Sequence, residues 1–375
     1  MTKKTTIRDF EPSLSPMQET LTDVQNTMHK YFEIVDWQGV QIVLGVTVAH
    51  YIKGVMLWFR FLGASRSGKT QILDAITLGK TDKDDITELE VATPAAFRGG
   101  LEKGHLILKR IDGKLVITKD IASLLTFKKE MRTELFGVLR GVKDGHLTSD
   151  FGSNQGYLPQ KAKFDWIIAA TSSSIEQGRQ LDEQLGQRFI DLRWVLGTRE
   201  EMAYRALKNS PEMEKIGEEL SVVVNTLILR AKESLKDSEP DLSERDARWI
   251  SAISDTTAIL RAGISRNTKG IIMSHPEPEA PTEIAQGLSR IAKGLICLDV
   301  LDWKQHIARI ARDTIPETRL KILQSLDGNP QTVDELIESV GLPKRTIYYY
   351  LEELELLKAV KKGRSDTYEI SIKLP

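Results

Sequence analysis

The sequence predicts an α/β protein: a parallel sheet flanked by helices, then a helical region, then a small C-terminal unit of three helices and a hairpin. Three observations carry this. Short apolar runs, "VMLWFRFLG" at 55–63, "KLVITKD" at 114–120 and "FDWIIAAT" at 164–171, read as buried strands. Helical patterns alternate with them, which implies a parallel sheet covered on both faces. From Thr318 the text changes to three helical stretches joined by short turns.

Length and composition bound the answer. A chain of 375 residues has room for two or three domains with proper cores. With 52 Lys and Arg against 53 Asp and Glu, the net charge is −1. Nucleic acid can therefore be attracted only by local patches. The single Cys297, in the apolar run "GLICLDVLDW", rules out an intrachain disulfide and a multi-cysteine zinc site and reads as a small buried hydrophobe. No run reaches the roughly 20 apolar residues of a membrane span, and the N-terminus lacks the apolar core of a signal peptide. A reducing, cytoplasmic setting without membrane contact is the expectation.

Taken in order, residues 1 to 16 are polar, hold Pro12 and Pro16, and read as a loose arm. Two helical patterns follow from Met17 to Tyr51. The first strand comes next; Arg60 is a charge within it, expected to point out of the sheet end. A glycine turn then leads into the helical "KTQILDAITLG". Beyond Leu196 the pattern is helical, interrupted by the Pro- and Glu-rich "SHPEPEAPTE" at 274–283.

The glycine turn carries the strongest chemistry. Gly63, Gly68, Lys69 and Thr70 satisfy G-x-x-x-x-G-K-[ST] across Gly63, Ala64, Ser65, Arg66, Ser67, Gly68, Lys69, Thr70 and Gln71. Glycines let successive backbone N–H groups converge on phosphate oxygens at a helix N-terminus. Lys69 can reach the β- and γ-phosphates, and the Thr70 hydroxyl can ligate Mg²⁺. A preceding strand and a following helix supply the required context.

Such a site also needs an acid at a neighbouring strand end. Asp120 fits, either holding Mg²⁺ or capping the next helix. Ile121 stands where many ATPases carry a catalytic glutamate, so the base must come from elsewhere, with Glu130 and Glu134 nearest. Thr171 can sense the γ-phosphate or cap a helix. Arg188, in "LGQRF", can act in trans on a neighbouring subunit or form a surface pair with Asp182 or Glu183.

With these residues in order, the segment from about Tyr31 to Leu298 resembles the AAA+ ATPases, and more narrowly the P-loop ATPases of bacterial mobile elements and phages related to MCM-type helicases. The resemblance rests on "WFRFLGASRSGKT", "TPAAFRGG", "KLVITKDIASLL", "ELFGVLRGVKDGHLTSDFG", "WIIAATSSSIE" and "LGQRF". It implies Lys69 and Thr70 as Walker A, Asp120 as Walker B, Thr171 as sensor 1 and Arg188 as arginine finger. It also implies ATP with Mg²⁺, and a ring or open-ring homo-oligomer, with a hexamer the expectation. Where relatives offer a sensor 2 arginine after Pro-Thr, this chain has Glu283, so that sensor is lost or served by Arg290. In helicase-like relatives a hairpin at 145–163 lines a pore; here Lys161 and Lys163 can grip phosphates, or the hairpin is simply solvated. The resulting division is 1–30, an arm and helix; 31–197, the AAA+ core; 198–315, a helical lid; and 316–375, the C-terminal unit.

In that last unit Thr332 and Glu335 form a capping box, Gly341 ends the helix and Pro343 opens the next. "KAVKK", "GRSD" and "TYEISI" read as a two-stranded wing, with Tyr368, Ile370 and Ile372 facing inward. The unit resembles a winged helix, whose third helix reads the major groove. Lys344, Arg345, Thr346 and Tyr349 are its exposed candidates for DNA, with Lys361, Lys362 and Arg364 on the wing. Glu352, Glu353 and Glu355 on the same helix leave a protein partner open. The leading expectation is an ATP-dependent DNA motor or replication initiator. The alternative is a nucleotide-switched DNA-binding regulator with slow hydrolysis and no motor activity.

Overall fold

A computed structural model describes residues 14–80, 84–90, 107–122, 127–145, 147–149, 158–160, 162–171, 188–267, 269–363 and 366–375. Two helices come first, α1 (Pro16–Tyr31) and α2 (Trp37–Ala49). The core then runs through β1 (Trp58–Leu62), α3 (Lys69–Thr77), β2 (Ile86–Glu88), α4 (Ile107–Ile111), β3 (Leu115–Thr118) and α5 (Lys129–Lys143). A hairpin, β4 (Leu147–Ser149) and β5 (Leu158–Gln160), precedes β6 (Asp165–Ala170) and β7 (Ile190–Arg193).

The sheet is β2-β3-β6-β1-β7 and wholly parallel. Alternating side chains build two cores. Phe59, Phe61, Ile117, Ile167 and Leu192 face the larger helical layer, which includes α2 and α3. Trp58, Leu62, Val116, Trp166 and Ile168 face α4 and α5. Helices on both faces make β3 and β6, and most of β1, mostly apolar, which is why these three strands read as short apolar runs.

Arg60 corrects its expectation. It does not point out of the sheet end; it is buried opposite Asp191 on β7, with bonds of 2.9 and 2.8 Å. Its guanidinium also lies over the Phe189 ring. Burying either charge without the other would cost several kcal/mol, so the pair fixes the register of β1 on β7.

The helical region comprises α6 (Arg199–Asn209), α7 (Met213–Asp237), α8 (Glu244–Arg261), α9 (Thr282–Cys297) and α10 (Trp303–Asp313). Helices α2 and α9 meet at Gly45 and Gly294. A Cβ on Gly294 would sit 2.2 Å from the Gly45 carbonyl, so only glycine permits this approach.

The C-terminal unit has α11 (Glu317–Leu326), β8 (Gln331–Thr332), α12 (Val333–Val340), α13 (Lys344–Leu356), β9 (Val360–Lys362) and β10 (Thr367–Ile370). The Thr332–Glu335 capping box forms, and Gly341 ends α12 at φ 71°. Its sheet has three strands, β8-β10-β9, rather than two. The extra strand is two residues long, too short to leave a pattern. Leu260, Ala262 and Ile315 join Leu323, Leu336, Ile347 and Leu351 in its core, which ties the unit to the end of α8.

Candidate functional site

The loop after β1 opens at the C-terminal edge of the sheet. Gly63 donates to the Ala170 carbonyl at 3.1 Å, so the turn starts level with the end of β6. Gly68 then adopts φ +92°, a left-handed conformation that suits glycine, and α3 begins at Lys69 without a side-chain cap. Uncapped first-turn amides and the helix dipole favour an anion at this point.

Lys69 is 7% exposed and turns into the loop. Its ammonium donates to the carbonyls of Gly63 (2.8 Å) and Ala64 (2.7 Å) and to the Ser67 hydroxyl (3.2 Å). All three donors are thereby used. Burial pushes the Lys69 pKa down to about 8, and the Asp120 carboxylate opposes that shift. Lys69 and Asp120 are therefore within electrostatic reach of each other. Thr70 is exposed beside them.

Trp194, just past β7, was not singled out in the sequence. Its indole donates to the Ser67 carbonyl at 2.8 Å while its backbone N–H donates to Leu62. It thus buttresses the loop from the neighbouring strand. The only sequence signal was an aromatic at a strand end, in "LRW". Behind it, Arg309 pairs with Asp36, which accepts from the Val195 backbone at 2.9 Å.

Strand order assembles the rest. Because β6 lies between β1 and β3, Thr171 stands between the loop and Asp120. Two strand spacings, about 10 Å, separate the ends of β1 and β3. Asp120 is exposed, and one of its oxygens accepts from Ala122 at 2.8 Å, so the local cap coexists with the approach to Lys69. Ile121 is 2% exposed in the apolar layer, so that position supplies no acid. Glu130 and Glu134 are exposed in the first turns of α5, which runs from this edge toward the opposite one.

Arg188 lies elsewhere. Ile190 is opposite Phe59, which puts Arg188 level with Leu57 at the N-terminal edge, roughly 20 Å along the strand from Gly63. Its guanidinium binds Asp144 at 2.8 and 3.1 Å and lies 3.5 Å from Glu283, which pairs with Lys143. Asp182 and Glu183, the partners weighed from sequence, lie outside the described residues.

Of the two outcomes left open for sensor 2, the position of Arg290 does not favour its serving the loop of its own chain. Arg290 makes a bidentate pair with Asp165 (3.0 and 2.9 Å), the first residue of β6, at the edge away from Lys69. There it ties the start of β6 to the carbonyls of Ala49 and Val55. In the 145–163 segment β4 and β5 pair as a hairpin. Its tip and Lys161 lie outside the described residues, while Lys163 is exposed.

On α13, Lys344 and Arg345 are exposed, Thr346 is half-buried and Lys344 pairs with Asp334 at 3.0 Å. Tyr349 corrects a second expectation: it is half-buried under a turn near residue 270. Lys361 and Lys362 are exposed and paired with Glu369 and Asp366; Arg364 lies outside the described residues. Exposed pairs of this kind are worth little and exchange readily for phosphate.

Residues 316–370 match the family described as bacterial regulatory protein, arsR family, a helix-turn-helix family. No curated protein matches the chain. One similar solved structure is that of a candidate ATPase from Cytophaga hutchinsonii, with a TM-score of 0.43 and 12% identity over 90% of this chain and 94% of that one. Among the described residues, no helix is long and apolar enough to cross a membrane.

Proposed function

We propose that this chain is an ATP-dependent DNA-binding ATPase, a helicase-like motor or replication initiator, that hydrolyses ATP between subunits of an oligomer. The observation that carries the reading is one sheet edge, where the loop that leads from β1 to Lys69, Thr171 after β6 and Asp120 after β3 follow three adjacent strands. Lys69 exchanges loop carbonyls for β- and γ-phosphate oxygens, and the uncapped amides of α3 hold the remaining charge. Water attacks the γ-phosphorus, the bond to the bridging oxygen breaks with its electrons going to ADP, and inorganic phosphate leaves. Thr171 and an acid from α5, Glu130 or Glu134, orient that water. Thr70 and Asp120 offer few, hard oxygen donors, the set Mg²⁺ accepts beside phosphates. When bound, the ion neutralises charge on the phosphate oxygens.

Arg188 is too far from its own loop to act there, and it sits at the opposite edge. We assign it to the site of a neighbouring copy, which makes a ring the expected assembly. Arg188→Ala should lower turnover on the order of 10³-fold while nucleotide binding survives. Mixing it with Lys69→Ala should restore part of the activity; an Arg188→Ala enzyme with normal turnover refutes the assignment.

Nucleotide affinity should weaken by up to about tenfold from pH 7 to 9, since phosphate prefers the ammonium and that form is lost above about pH 8. Binding near pH 8 should therefore take up as much as about half a proton per site, measurable by calorimetry in buffers of different ionisation heat. A flat pH profile counts against Lys69 meeting the phosphates.

The apolar, buried Ile121 favours a second reading, a DNA-binding switch with slow hydrolysis. Strand displacement on a forked duplex separates the two: a motor unwinds it, a switch only binds.

A further inference from the structure

The recognition helix α13 buries Ile347, Leu351 and Leu354 at i, i+4 and i+7. Half a turn away, the outward stripe is Arg345, Tyr349 and Glu352, the face a groove-reading helix would offer to base edges. In this chain the middle of the stripe is partly covered: Tyr349 is half-buried, while Arg345 and Glu352 stay exposed. A turn in the helical region, closed by bonds from Met273 to Ser265 and from Asn267 to Ile271 (each 2.9 Å), lies against it.

Arg266 is the centre of the contact, with its side chain 15% exposed. It donates to Glu352 (2.7 Å), Glu353 (3.2 Å), the Gly270 carbonyl (2.8 Å) and the Tyr349 carbonyl (2.8 Å). Its guanidinium lies 4.9 Å from the Tyr349 ring centre, and that of Arg345 lies 5.2 Å from the same ring. Gly270, at φ +82°, fits so closely that an added Cβ would be 2.7 Å from the Tyr349 hydroxyl. Glu353 is held a second time by Arg319 at 2.9 Å. These contacts also account for acids on a helix that would otherwise face phosphate: Glu352 and Glu353 neutralise Arg266 and Arg319.

We propose that the Arg266 turn is an autoinhibitory clamp, which holds Tyr349 and Glu352 on the reading face of α13 so that duplex DNA and the turn compete for these two residues. The inference rests on the DNA-binding reading above. Lys344 and the wing lysines Lys361 and Lys362 stay outside the clamp and can make first contact with phosphates. Full docking then needs the turn to leave Tyr349 and Glu352.

The test uses the full chain with a fluorescein-labelled mixed-sequence 30-bp duplex, read by anisotropy, for wild type, Arg266→Ala and Gly270→Ala. Removing a positive charge ordinarily weakens DNA binding. A clamp reverses the sign, so Arg266→Ala should bind about tenfold more tightly. Gly270→Ala, which wedges the contact without changing charge, should do the same and serves alone if Arg266→Ala fails to fold. Hydrogen exchange across 265–273 should quicken in both. Wild type that already binds tightly, with Arg266→Ala weaker or unchanged, overturns the clamp and leaves DNA binding standing. No duplex binding by any of the three proteins overturns the DNA reading itself, and the inhibition with it.

Discussion

Lys69→Ala is expected to abolish measurable ATP turnover and to weaken nucleotide binding about a hundredfold. The reasoning starts from the ammonium, which sits inside the loop with its three donors on Gly63, Ala64 and Ser67. A hydrogen bond to a charged group is worth about 1.5–3 kcal/mol, so losing the ammonium costs on the order of 3 kcal/mol of binding. Turnover suffers more, because charge builds on the transferring phosphoryl group as the bond breaks. Folding should be spared: alanine favours the helix, and Trp194 still holds the Ser67 carbonyl. Equilibrium binding of a fluorescent nucleotide and a phosphate-release assay check the two effects. Unchanged turnover would remove Lys69 from the chemistry.

Asp165→Ala is expected to have the largest effect on stability, about 3–5 kcal/mol. The carboxylate begins β6 and accepts four hydrogen bonds: from Leu57 N (2.6 Å), His50 Nδ1 (2.9 Å) and two Arg290 nitrogens. Alanine would strand the Arg290 guanidinium, which is 6% exposed, without its counter-charge. Burial alone would raise the Asp165 carboxyl, yet the bonds from His50 and Arg290 outweigh it and hold the group below its usual 3.8. Its contribution is therefore present above that value and lost as pH falls through the depressed one. Urea denaturation at pH 7 should show the full loss, with wild type and variant converging only in strong acid. A midpoint shift worth less than 1 kcal/mol would mean that the network relaxes around the gap.

How much of this was legible beforehand depends on where each partner lies in the chain. The strands β1, β3 and β6 announced themselves because burial on both faces makes them mostly apolar. Strand β7 did not, since Asp191 and Arg193 break its run; only pairing with Arg60 explains the acid. The turn between β1 and α3 was readable as a turn because Gly63 and Gly68 bracket it, and Gly68 takes the left-handed φ that suits glycine. The sheet edge that Arg290 serves was not readable, for the opposite reason. Helical spacing shows that Arg290 belongs to a helix, whereas its partner Asp165, 125 residues earlier, decides which sheet edge it serves. Tyr349 was read as exposed because the turn that covers it comes from about 80 residues upstream, and no periodicity within α13 can report that contact.

The most direct measurement is a calorimetric titration of the wild-type chain with Mg·ATP at pH 7, repeated with Lys69→Ala. Saturable heat at one site per chain, with micromolar affinity in the wild type and about a hundredfold loss in the variant, is the expected result. No heat in the wild type, or equal heat in both, would contradict a triphosphate held by the loop at Lys69.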